Sequence, residues 1–349
     1  MSTSKTARRI GALASAAASA ALGAVFLALP FGAAQAQVDE VTVAYFLEWP
    51  TPNQVAQLEK TYDDELGVKV NWKSFSSGND MSAAMASGDV HISYSQGLIP
   101  FIVATSRGLP IRTVGIAVAY AEADNCVVHN DSALDRTSAA SIAASLRGKK
   151  IATPEGNVTH YKLLKTLAFY GLSARDVNIT PMAGGQDAAA AFLTGRVDIG
   201  CAFGGPLDKM KEQGQVIMTG AEQENVGIFT FDVISVTDEF AKQAPGLLTK
   251  FMQVTEDANK AFADNPNRYW GTLAKASGMT EDGVRGYLGA AGTFSFPSKD
   301  AQLGDAWMGG NVQAFTKSAA DFFVDAGVMP RALGSYDGVY DTSFLKRVK

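Results

Sequence analysis

Val41, Val43 and Tyr45 alternate with Thr42 and Ala44 in a largely β-branched run, and this period of two predicts a strand at 41–45. A helical stretch at 55–66 follows, with Gly67 as its stop signal, and then a strand at 68–72. A short helix at 79–87 ends at Gly88, a strand covers 90–94, and another helix begins at 100–106. Further strands are predicted at 126–129, 150–153, 177–180, 197–202 and 230–236, with helices at 158–170 and 186–194 between three of them. From Asp238 the pattern turns helical, at 245–263, 266–276, 280–288 and about 310–326. Strands alternating with helices predict an α/β protein with a largely parallel sheet.

One segment echoes another. Ala83 to Ser93 and Ala190 to Gly200 each run from a helix end through a glycine, Gly88 or Gly195, into an apolar strand. Two similar lobes would produce this repetition, although α/β units also converge on it. Two α/β units followed by a helical third fit a chain that crosses to a second lobe and returns to brace the first.

Composition narrows the class. The chain has 349 residues, 47% of them hydrophobic, with two cysteines, 30 Lys+Arg and 35 Asp+Glu. It is neither a disulfide-stapled miniprotein nor a disordered tail, and a net charge of -5 argues against nucleic-acid binding. Lys5, Arg8 and Arg9 precede an uncharged Ala/Leu-rich run at 10–31, and Ala34-Gln35-Ala36 follows. A basic head, an apolar middle and an A-x-A end describe a secretory signal cleaved after Ala36. The run is also long enough for a membrane helix, but Pro30 and Gly32 interrupt its end, no basic stop-transfer cluster follows, and no Cys marks a lipoprotein anchor. Without 1–36, 27 basic side chains face 35 acidic ones, and the protein is expected to be exported, soluble and acidic, with a periplasmic location.

Enzyme signatures are sparse. The three histidines, His91, His129 and His160, are far apart, and the sequence contains no H-E-x-x-H, C-x-x-C, P-loop or G-x-S-x-G pattern. No catalytic residue, metal or cofactor is expected. Cys126 and Cys201 lie on predicted strands of one lobe, and in an oxidising compartment they either pair or remain small buried hydrophobes.

The strand-to-helix junctions carry more information. Ser76-Ser77-Gly78-Asn79, Ser95-Gln96-Gly97-Leu98 and Glu155-Gly156-Asn157-Val158-Thr159-His160 each combine hydroxyl or amide side chains with a glycine. Helix N-termini beyond strand ends bind anions through free N–H groups, although the same residue types also serve as plain caps. Glu48, Trp49, Tyr94, Tyr161, Phe203 and Asp232 sit at other strand ends or crossings, and a carboxylate with aromatic faces holds a cation. Trp49, Tyr161 and Phe203 serve equally well as core packing. Together the two sets point to a small zwitterion.

At this point the chain resembles a known family. Val41 to Tyr45, Val55-Ala56-Gln57, Ala86-Ser87-Gly88-Asp89-Val90, Thr159-His160-Tyr161 and Phe231-Asp232-Val233 fall in the order and spacing of taurine-binding periplasmic proteins, within the sulfonate, nitrate and thiamine-precursor binding group of ABC importers. The resemblance covers roughly residues 40–300. It implies a two-lobed, type II-like periplasmic binding protein fold with two hinge strands and a helical C-terminal extension on the first lobe. By position, lobe 1 spans 38–123 and 229–349, and lobe 2 spans 124–228. It also implies Asp232 as the ammonium partner, Thr159 and His160 at a helix N-terminus facing the cleft, and Phe203 as the aromatic after a strand. The ligand set expected on both grounds is Glu48, Trp49, Tyr94, Gln96, Gly97, Asn157, Thr159, His160, Tyr161, Phe203 and Asp232. The implied partners are a small zwitterionic ligand, a membrane permease and its ATPase, with the protein acting as a monomer.

The sequence departs from the family at Phe46-Leu47-Glu48-Trp49-Pro50, which is longer and bulkier than usual, and at Tyr94-Ser95-Gln96-Gly97-Leu98. An extra carboxylate and indole would suit a methylated amine. Pyrimidine-precursor synthases share the implied fold but carry a Cys-rich iron-binding motif, which two isolated cysteines do not provide. A ligand-sensing domain for a membrane receptor would differ only in its partner.

Overall fold

The computed structural model describes residues 38–132 and 134–349; the leader expected at 1–36 lies outside the described residues. Two sheets organise the molecule, one per lobe. The first is ordered β11-β4-β10-β3-β1-β2 and contains β1 (Glu40–Tyr45), β2 (Lys69–Ser74), β3 (Ile92–Gly97), β4 (Ile111–Tyr120), β10 (Thr230–Thr237) and β11 (Phe294–Ser295). The second is ordered β7-β6-β8-β5-β9 and contains β5 (Asp124–His129), β6 (Lys150–Pro154), β7 (Asn178–Met182), β8 (Ile199–Phe203) and β9 (Gly214–Val216). In both sheets the strands joined through helices pair in parallel, as β1 does with β2 and β3, and β6 with β7 and β8. The strands next to the lobe crossings, β4, β10 and β5, pair antiparallel.

The chain crosses between sheets at 121–123, after β4, and returns before β10. Tyr120 at the end of β4 lies opposite Thr230 at the start of β10, so the two crossings run side by side as a double hinge. Lys162 is fully buried beside the first crossing, and its ammonium donates to the carbonyls of Ala121 and Asp124. Next to it, Glu122 accepts from the Gly220 N–H and pairs with Lys211 at 3.2 Å.

The repeat seen in the sequence has a backbone cause. Gly88 (φ +83°) and Gly195 (φ +69°) both adopt the left-handed conformation that ends a helix, and each is followed four residues later by the first residue of a strand, Ile92 or Ile199. Open space surrounds both glycines, so conformation rather than crowding calls for glycine.

One expectation is revised, one strand is added and one open alternative is settled. The helix expected at 55–66 is two helices, Asn53–Leu58 and Thr61–Leu66, because Lys60 is left-handed at φ 60°. β4, the longest strand described, has no counterpart among the predicted elements. Cys126 and Cys201, left open between pairing and plain burial, are directly opposite on β5 and β8 and form a disulfide.

The helical third returns to lobe 1. Helix Pro245–Asp264 sets Phe251 against Tyr62, with stacked rings 4.8 Å apart, and Thr255 bonds the Tyr62 hydroxyl at 2.7 Å. Helix Asn311–Asp325 packs on the wholly buried helix Leu98–Ser106 and reaches across the cleft, where Phe322 and Phe323 meet Tyr161 of lobe 2. No helix among the described residues is long and apolar enough to cross a membrane.

Candidate functional site

The three junctions singled out in the sequence converge. β3 runs directly into helix Leu98–Ser106 at Gly97; helix Gly78–Ala86 begins beside it, capped by Ser77, whose hydroxyl accepts from the Asp80 N–H at 3.2 Å. Helix Val158–Phe169 of lobe 2 faces both, with Asn157 at its cap position. Together they border a narrow inter-lobe cavity with free room of about 10 Å³, lined in part by Gly78, Gly97, Asn157 and Val158. Asp124, Asp232 and the rings of Phe46, Trp49, Tyr120 and Phe203 line the rest. First-turn N–H groups of helices favour negative charge, and carboxylates favour positive charge. The cavity therefore offers both halves of a zwitterion a partner.

Asp232, on β10, is buried and doubly held. Tyr120 Oη donates to Oδ1 at 2.7 Å and Ser95 Oγ donates to Oδ2 at 2.7 Å. Ser95 in turn accepts from Trp49 Nε1 at 3.0 Å. The Ser95 backbone is left-handed, φ 66°, a strained conformation for serine that costs on the order of 1–3 kcal/mol. That strain turns its hydroxyl to both the acid and the indole.

Asp124 opens β5 just past the first crossing and is also buried. Thr159 Oγ1 donates to its Oδ2 at 2.9 Å, while Oδ1 has no hydrogen-bond partner among the described residues. A buried, unpaired carboxylate oxygen costs free energy and awaits a donor. Burial pushes Asp232 up to about 7, against the hydrogen bonds from Tyr120 and Ser95, with nearby Asp124 adding to the rise. Burial likewise pushes Asp124 up to about 6, opposed by Lys162 and the Thr159 hydroxyl. Without a cation Asp232 keeps its proton up to about neutrality and Asp124 up to about pH 6; a bound cation would ionise both.

Of the residues expected to bind ligand, Trp49, Gly97, Asn157, Phe203 and Asp232 line the cavity, and Thr159 reaches it through Asp124. The remaining five lie elsewhere. Glu48 takes a left-handed backbone, φ 54°, and its carboxylate sits 3.9 Å from Lys209 on lobe 2, along a neighbouring cavity. Gln96 braces Gly78 from behind, donating to its carbonyl at 3.3 Å and to Ser82 at 2.7 Å while accepting from Ser235 at 2.5 Å. Tyr94 is buried within lobe 1. His160 and Tyr161 turn toward Phe323, and burial lowers the His160 imidazole to about 4.

Asp124, Tyr120 and Phe46 also line the cavity, and Ser95 joins it through Asp232 and Trp49, although none was singled out as a ligand contact. The signal for Tyr120 and Asp124 was available. Had 111–120 been read as a strand, both would have stood at strand ends beside a crossing, where ligands bind in open α/β folds.

The lobes touch around this cavity. Asn79 Nδ2 donates to the Glu155 carbonyl at 2.9 Å, and Tyr287 donates to Asp208 at 2.7 Å. Trp49 packs edge-on to Phe203 with centroids 5.7 Å apart.

Comparison with known proteins follows the same lines. The taurine-binding periplasmic protein of Escherichia coli (strain K12) is 29% identical over 327 residues, covering 91% of this chain and 97% of that protein. A putative aliphatic sulfonates-binding protein of the same strain is 25% identical over 276 residues, covering 78% of this chain and 79% of its own. Among solved structures, the alkanesulfonate-binding protein SsuA from Xanthomonas axonopodis pv. citri bound to MOPS has the same fold, with a TM-score of 0.68 at 22% identity over 85% of this chain and 96% of that one. The desulfurization enzyme DSZB shares the fold as well, at a TM-score of 0.62 and 16% identity over 88% of this chain and 98% of that one. The family model described as NMT1/THI5 like matches residues 51–269, and the chain belongs to that family.

Proposed function

We propose that this protein is the periplasmic solute-binding component of an ABC importer and that its ligand is taurine or a closely similar primary aminosulfonate. One observation carries the ligand assignment: two buried carboxylates, Asp232 and Asp124, share a small cavity with the first turns of three helices. The ammonium would lie between the acids, giving Asp124 Oδ1 its missing donor, and the sulfonate would meet the helix N–H groups. The names of the two Escherichia coli relatives support the same ligand class. A methylated amine, the alternative suggested by Trp49 and Glu48, fits less well. Full methylation leaves no N–H for the unpaired oxygen, partial methylation removes donors from the ammonium, and Glu48 faces Lys209. The proposed role is binding and closure rather than bond-making, in line with the names of the two relatives. Export through the leader at 1–36, a lobe division at 123/124 and 228/229, monomeric action, and docking on a permease driven by an ATPase belong to the same proposal.

The two acids make the proposal testable by pH. Both are raised in the folded protein, to about 6 and about 7, so they are protonated at pH 5 and ionised by pH 8. An ammonium needs the ionised form. Taurine affinity is therefore expected to rise between pH 5 and 8, by at most about tenfold per unit for each proton displaced. Ethanesulfonate, which lacks the amine, is expected to weaken over the same range as negative charge accumulates beside it. Calorimetric titrations at three pH values check both slopes, and a flat taurine profile would remove the acids from the site.

Closure has its own test. A Cβ added at Gly97 would lie 2.8 Å from Val158 Cγ2 of the other lobe and 3.6 Å from Asp232 Oδ1. Gly97→Ala is expected to prop the lobes apart and weaken taurine by roughly 5- to 150-fold, the range for overpacking by one methyl. The melting temperature without ligand should change little, because the clash exists only in the closed form.

A further inference from the structure

The amine side of the cavity is walled by aromatic rings that differ in what lies behind them. Trp49 and Tyr120 back onto Phe294, at 4.5 and 6.1 Å between centroids. Phe46 and Phe203, edge to face at 5.5 Å, back instead onto a second inter-lobe cavity of about 350 Å³, bounded by Glu48, Ser76, Gly185 and Pro206. Both cavities share these two rings, which therefore form the partition between them.

The partition is pinned. A Cβ at Gly185 would stand 3.3 Å from the Phe203 ring, so the ring lies flush against the lobe 2 backbone. Gly204, left-handed at φ +60°, brings the backbone so near the 46–49 loop that a Cβ would fall 2.6 Å from the Glu48 carbonyl oxygen and 3.4 Å from the Trp49 ring. Trp49 is fixed in turn through Ser95 to Asp232. The position of the Phe203 ring is thus tied to the carboxylate that would hold the ammonium.

We propose that Phe203, backed by Phe46, is the specificity-determining residue that limits the ligand to an unsubstituted ammonium, because any group on the nitrogen pointing toward this wall would have to displace the ring to reach the space behind it. The inference rests on the aminosulfonate reading of the site and adds its upper size limit. Removing the ring merges the two cavities and admits N-substituted taurines.

The probe is 2-(cyclohexylamino)ethanesulfonate, a taurine with a cyclohexyl group on nitrogen, titrated calorimetrically against the purified protein beside taurine. The unaltered protein is expected to prefer taurine by about 100-fold or more, in the range that steric exclusion from a pocket supports. In Phe203→Ala that preference should shrink by at least about tenfold, through a gain for the substituted ligand as well as a loss for taurine. Should Phe203→Ala fail to melt cooperatively, Phe46→Ala opens the same wall from lobe 1 and is held to the same criterion. A folded variant with an unchanged preference, or an unaltered protein that takes both ligands within about threefold, overturns the gate. If the unaltered protein does not bind taurine at all, the aminosulfonate reading itself falls, a result distinct from the failure of the gate alone.

Discussion

Asp232→Asn is expected to weaken taurine binding by about 2–5 kcal/mol, or roughly 30- to several-thousand-fold in Kd, while leaving the unliganded protein as stable or more so. The first effect follows from removing one partner of a fully desolvated charge pair. The second follows from the sign of the pKa shift. The folded-state value of about 7 lies above the ordinary carboxylate range, so the folded protein holds a proton that the unfolded chain has lost. Wild-type stability therefore falls as pH rises from about 4 to about 7, and the cost is fully present above that. Asparagine carries no such cost. Its melting advantage should grow across that interval and then stay level; one of Tyr120 and Ser95 keeps an oxygen to donate to, and the other hydroxyl turns to accept from the amide NH2. Melting curves at pH 5 and 8 with calorimetry at pH 8 check both halves. A variant that binds taurine normally would move the ammonium elsewhere.

Loss of the Cys126–Cys201 disulfide is expected to be the largest change in stability that leaves the cleft untouched. The bond joins neighbouring strands of the lobe 2 sheet across a separation of 75 residues. Closing a loop of that length restricts the unfolded chain by about 4 kcal/mol at 25 °C in the chain-entropy model. The Cys126→Ala/Cys201→Ala double variant should melt about 10 °C lower than the parent. The cavity lies beyond the ends of these strands, so taurine affinity in the folded variant should stay within about threefold of the parent, and saturating taurine at 100 times its Kd would restore about 2.7 kcal/mol. A drop in affinity matching the drop in stability would mean that the disulfide shapes the cleft.

The parts of the fold that were legible are those with a local chemical cause. Gly88 and Gly195 marked two helix ends because only a left-handed residue ends them in that way. Gly78, Gly97 and Asn157 marked three helix starts, and the structure brings all three to one cavity. β4 was missed because residues 111–120 sit between β10 and β11 with both faces covered, so the run lacks the alternation that reveals a half-exposed strand. That omission hid Tyr120 and Asp124. His160 and Tyr161 were expected in the cleft beside Thr159, yet successive helix residues point in different directions. Thr159 and Lys162, three apart, share the face toward Asp124 and the hinge, whereas His160 and Tyr161 face Phe323. Glu48 has a left-handed backbone and lies beside Lys209, a partner 161 residues away that no local pattern announces.

The most direct test of the two-carboxylate site is a proton count. Taurine titrated calorimetrically at pH 6, in two buffers of different ionisation enthalpy, should bind with release of about one proton, because the ammonium ionises acids that burial had kept protonated. Ethanesulfonate should bind far more weakly and release none. Equal affinity for both ligands, or taurine binding without proton release, would contradict an ammonium held between Asp232 and Asp124.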